Sequence, residues 1–91
     1  MLLFRLRVSG HSMEPTIQNG EEVLASSFPF LIRKPRKGDI VVFERNKKLI
    51  VKRVKEVENG NVLVNGDNSK DSRNFGLVGI NEIKGKVIKK I

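Results

Sequence analysis

The chain has 91 residues, a net charge of +8 and no cysteine. Its length supports one small domain over residues 1–91 with a modest core, and the lack of cysteine excludes a disulfide framework and thiolate chemistry. One histidine and no carboxylates at ligand spacing give no basis for a bound metal or cofactor, while the positive balance suits anionic partners such as nucleic acid, lipid headgroups or acidic peptides.

In chain order the pattern is mostly β. The opening "MLLFRLRVSG" is too short and too charged to span a bilayer or to act as a cleaved signal, and no other apolar run approaches ~20 residues. The expectation is a chain without a transmembrane segment, cytoplasmic or peripheral at a membrane. Within it, residues 3–9 alternate apolar and basic at period 2, as a half-buried strand does. "GHSMEPT" breaks the strand, and Pro15 sets a turn or the start of a short helix. A turn at Asn19-Gly20 leads to a strand over residues 22–27.

"FPFLIRKPRKG" is irregular, with two prolines. "DIVVFER" is an apolar strand opened by Gly38-Asp39, and "KLIVKRVKEV" is another. "ENGN" is a hairpin turn into "VLVNG". "DNSKDSRNFGLVG" reads as a polar loop, and "EIKGKVIKKI" closes as a strand. About six strands and no long helix predict an all-β barrel or folded sheet.

The stretch "SGHSMEPTI" carries the first chemical candidate. A serine hydroxyl is a poor nucleophile and needs a base beside it. His11 neighbours Ser12, but in an extended segment its side chain points to the opposite face. The other option is a lysine whose pKa is lowered by burial. Of 11 lysines, Lys52 stands apart. Period-2 alternation puts Ile50, Lys52 and Val54 on one strand face, so Lys52 is flanked by β-branched apolar side chains. Both candidates stay open on pattern alone.

"SGHSMEPT", "KGDIVVF", "LIVKRV" and "NGDNSKDSRNFGLV…IKGKV" resemble, in that order, the motif boxes of the type I signal peptidase family, over about residues 8–87. Those enzymes are membrane-associated serine endopeptidases with a Ser/Lys dyad. The resemblance implies a signal-peptidase-like fold, Ser12 as nucleophile and Lys52 as general base. It also implies Ser69 as the hydroxyl that orients the amine, and Asp71 with Arg73 as a bracing ion pair. The Ser12 backbone N–H matches the oxyanion donor. Where housekeeping members carry a second hydroxyl donor two residues before the nucleophile, this chain has Gly10. The Gly66-Asp67-Asn68 run is read as turn geometry.

The family usually adds a membrane anchor and an inserted β-domain, and neither is expected here. The short form resembles the soluble maturation proteases of nickel-type superoxide dismutase, which remove an N-terminal leader from a client. The implied partner is therefore a polypeptide with an N-terminal leader. Phe28, Phe30, Leu31 and Ile32 beside Arg33, Lys34, Arg36 and Lys37 would suit peripheral contact with anionic membrane through residues 28–37.

Two rival readings remain. Self-cleaving SOS-repressor domains share the Ser-Met and Lys elements and a similar β-fold, but need a cleavage segment upstream of the serine. A basic β-barrel binding nucleic acid fits the charge. However, the chain has no Tyr or Trp for base stacking, so no specific nucleic acid is expected.

Overall fold

The structure, a computed structural model, describes residues 3–71 and 74–91. Strand β1 covers Leu3–Arg7, β2 Glu22–Ser26, β3 Ile40–Arg45, β4 Lys48–Glu58, β5 Asn61–Asn65, β6 Asn74–Gly79 and β7 Ile83–Lys90. They form one antiparallel sheet in the order β1-β2-β7-β3-β4-β5-β6. The helical content among the described residues is a single turn, α1, at Pro29–Ile32 and a 3-10 turn at Ile80–Glu82.

Local sequence accounts for most of these elements. In β1, Phe4 and Leu6 face inward with Val8 beyond them, and Arg5 and Arg7 face out. The β4–β5 turn is Asn59-Gly60, both at positive φ, which suits the right-handed twist of a hairpin. The β3–β4 turn uses Asn46 and Lys47 in the same way, at φ 54° and 65°. Pro29 sits in the first turn of α1, where its missing N–H costs nothing. Pro35 follows, and a residue before proline disfavours the α region, so the helix stops after one turn.

Strand β3 explains why "DIVVF" is a continuous apolar run rather than an alternating one. Val42 packs in a cluster with Val8, Met13, Ile17, Val23, Ala25 and Val51. Val41 and Phe43 point the other way, into a cluster with Val54, Val62, Val64 and Val78. The sheet coils so that both faces of β3 are buried, as happens when a strand is covered on both sides.

The structure has one strand more than the sequence pattern predicts. Residues 74–79, read above as loop, pair with β5 through Val62↔Val78, Leu63↔Leu77 and Val64↔Gly76. Gly76, at φ 90°, sits where the register shifts. A short apolar stretch interrupted by glycine is too brief to show alternation, so its pairing comes from β5 rather than from local pattern.

Candidate functional site

Ser12 lies in the loop between β1 and β2. The loop is closed at its neck by Val8 N–H donating to Glu21 O at 2.8 Å and Gly20 N–H donating to Val8 O at 2.8 Å. Within it, Met13 and Ile17 are both 1% exposed and anchor a helical turn, with Ile17 N–H donating to Met13 O at 2.9 Å. Ser12 is thus held between a buried residue and the exposed His11. Gly10 has φ 98°, a backbone region that a serine at this position would enter only with strain.

Lys52 sits in β4 opposite Val41, which is fully buried, and is itself only 6% exposed. Its face neighbours Ile50 and Val54 belong to the second apolar cluster, as period-2 alternation requires. Ser12, Lys52 and Asp71 line one groove of about 450 Å³ together with Val8 and Ile50. His11 lines it too, but its Nδ1 is paired with Glu14 Oε2 at 2.9 Å. That imidazole, helped by the Asn19 N–H, holds the Glu14 carboxyl below the usual carboxylate range.

The Gly-Asp-Asn run joins the parts. Gly66 follows the Arg53↔Asn65 pair and so runs on beside Lys52. A Cβ on Gly66 would overlap the Ser12 carbonyl oxygen and stand 3.0 Å from the Ser12 carbonyl carbon and Cβ. Gly66 does not have positive φ. Its requirement is close approach to the Ser12 backbone, which corrects the reading of this glycine as turn geometry.

Asn68 clamps the same turn: its N–H donates to Ser12 O at 2.8 Å and its Nδ2 to His11 O at 2.9 Å. Asp67 accepts Thr16 Oγ1–H at 2.7 Å and both Nε and an Nη of Arg53 at 2.8 Å. Arg53 in turn donates to Gly38 O at 2.8 Å. Arg53 is on the strand face opposite Lys52, so this network braces the serine loop against the lysine strand. The sequence reading named Asp67 and Asn68 but missed Arg53. The available signal was its place directly after a buried lysine, which turns it to the other face.

The remaining expected site residues fall in different places. Asn68 O accepts Asp71 N–H at 3.0 Å and Asn68 Oδ1 accepts Lys70 N–H at 3.0 Å. Asp71 lines the groove beside Lys52. Ser69 is exposed and lines a second depression with Glu14, Pro15 and Lys70, apart from the groove that holds Lys52. Arg73, expected to pair with Asp71, lies outside the described residues.

Asp67 supports a stability prediction. Arg53, aided by the Thr16 hydroxyl, holds the Asp67 carboxyl below its ordinary range despite opposing desolvation. The unfolded chain therefore binds that proton more tightly than the fold does. The resulting stability is present at neutral pH and is lost as pH falls from about 4 toward the folded-state pKa. Asp67→Asn should cost about 1–3 kcal/mol at neutral pH, because it leaves the half-buried Arg53 without its charge partner. Urea melts at neutral and acid pH should show the variant losing less on acidification than the parent. Equal acid slopes would contradict the assignment.

The groove has two strand edges as walls. β1 is an outer strand of the sheet. Residues 48–52 of β4 pair with β3 on one side, while β5 pairs with β4 only from Arg53 onward. Among the described residues, the second edge of residues 48–52 therefore carries no strand. Leu6, Arg7 and Val8 line one wall and Lys48 to Lys52 the other.

The profile of the family described as Peptidase S24-like matches residues 2–88. The chain is also 36% identical, over 108 residues, to the mitochondrial ATP-independent inner membrane protease subunit 1b of Arabidopsis thaliana. That match covers 87% of this chain and 64% of the plant protein, so the chain spans less than two thirds of that relative's length.

Proposed function

The chain belongs to the Peptidase S24-like family, and from that premise we propose that it is a serine endopeptidase in which Ser12 and Lys52 form a nucleophile–base dyad that removes an N-terminal leader from a client polypeptide. The observation that carries this reading is that a serine on a braced loop and a lysine only 6% exposed line the same groove. Burial alone disfavours an ammonium, and a neutral amine is what a serine needs beside it.

In this mechanism the neutral Lys52 amine takes the Ser12 hydroxyl proton as Oγ attacks the scissile carbonyl carbon. The Ser12 N–H stabilises the resulting oxyanion. Collapse breaks the C–N bond, and the Lys52 ammonium gives its proton to the departing amine. Water then attacks the Ser12 ester, passing its proton to Lys52, and the second collapse returns that proton to Ser12 Oγ and frees the new carboxyl end. The groove suits an extended peptide, which can add a strand between the free edges of β1 and residues 48–52. The test is to incubate a cell lysate with the parent protein or with Ser12→Ala and map the new protein N-termini. Termini produced by the parent alone are expected; identical maps would reject the activity.

We also place this activity at the surface of an anionic membrane. Leu31 and Ile32 of α1 are 70% and 74% exposed, and Phe28 is 54% exposed. Lys34, Arg36 and Lys37 are exposed beside them, whereas Arg33 is tied to Asp39. No acidic residue occurs from residue 23 to residue 38. Three such cations contribute about 1 kcal/mol each at an anionic surface, added to the apolar burial. The plant relative is named as a subunit of an inner membrane protease. Sedimentation should show binding to phosphatidylcholine vesicles containing phosphatidylglycerol, little binding to pure phosphatidylcholine, and loss of binding in Leu31→Glu. Equal binding by Leu31→Glu would reject the patch.

A further inference from the structure

We propose that the groove selects client peptides with an acidic side chain about four residues (~13 Å along an extended strand) before the scissile bond, and that Lys48 is the residue that reads it. This rests on the peptidase reading above and adds a specificity to it.

The groove is unevenly charged. Lys52 and Ser12 share this lining, and among the described residues Asp71 is the one acid in it. Two further cations in the lining are Arg7, at the end of β1, and Lys48, four residues along β4 from Lys52. Arg7 is partly compensated: it donates to Gly20 O at 2.6 Å and stands 3.5 Å from Glu22. Lys48 is exposed and takes part in no ion pair among the described residues.

Register supplies the position. Lys48, Ile50 and Lys52 alternate onto one face of β4, and among the described residues the second edge of residues 48–52 carries no strand. A peptide strand laid along that edge keeps step with it, so a residue about four positions from the one beside Lys52 lies beside Lys48. The side of the cut follows from the chemistry. The half of the substrate left as an ester on Ser12 must stay held while water attacks, whereas the other half must leave. The walled slot therefore holds the acyl half, on the N-terminal side of the cut. The asparagine–lysine turn just before Lys48 holds its backbone in place, so the cation is presented from a hairpin end rather than from a floppy loop.

The test begins with a synthetic peptide spanning a Ser12-dependent cleavage site. Variants carry Glu, Gln or Lys in turn at each of the several positions before the cut, and kcat/KM is measured for the parent and for Lys48→Glu. The parent should prefer Glu to Lys at one position by about 3- to 10-fold, the range of an exposed ion pair exchanged for a repulsion. The preference should shrink at high salt, and Lys48→Glu should reverse it, cleaving the Lys peptide better than the Glu peptide. Ser12-dependent cleavage that ignores charge at every position, or a preference that survives Lys48→Glu, overturns this inference and leaves the peptidase reading intact. No Ser12-dependent cleavage of any peptide overturns the peptidase reading and this inference with it.

Discussion

Lys52→Met is expected to lose peptidase activity by about 10³-fold or more while remaining folded. Methionine keeps the length and flexible packing of the lysine stem against Val41, Ile50 and Val54 and removes the cost of keeping an amine out of water. Its melting midpoint should therefore be no lower than the parent's at neutral pH. This pairing of lost activity with kept stability separates a catalytic amine from a structural one. A lysine that merely held strands together would lower stability when removed. In the parent, activity should rise with pH as the amine gives up its proton. A Lys52→Met variant that is active, or that is inactive because it is unfolded at ambient temperature, would argue against this role.

Ser12→Ala should be as deficient, again by about 10³-fold or more, with the fold kept. The contacts that hold this residue are made by its backbone. Ser12 O accepts the Asn68 N–H at 2.8 Å, and Gly66 packs against its carbonyl group and Cβ, all of which alanine retains. Circular dichroism and thermal melting should match the parent's, and peptide cleavage should be absent. Cleavage at the parental rate by pure Ser12→Ala would remove Ser12 from the mechanism.

Much of this was legible in local pattern. The alternation Ile50, Lys52, Val54 singled out a buried lysine, and the fold buries it. The Asn59-Gly60 turn and the alternation in β1 were equally plain, because twist chemistry and a half-buried face leave period-2 and turn signals. The structural meaning of Gly66 was hidden. It depends on a contact with Ser12, 54 residues away, and no window of neighbours contains it. Thr16 and Asp67, 51 residues apart, are hidden for the same reason. Strand β6 was missed because its pairing is set by β5.

The central claim is that Lys52 acts as a neutral base toward Ser12, and Lys52→Arg tests it most directly. Guanidinium matches lysine in charge and comes near it in reach, but stays protonated at any pH the protein tolerates, so it cannot accept the serine proton. The measurement is kcat/KM of folded Lys52→Arg and of the parent on one peptide across the accessible pH range. The account predicts a parental rate that rises with pH and no cleavage by Lys52→Arg at any pH. Cleavage by Lys52→Arg, with a parent-like pH profile, would contradict it and return His11, at the groove's rim beside Glu14, as the base.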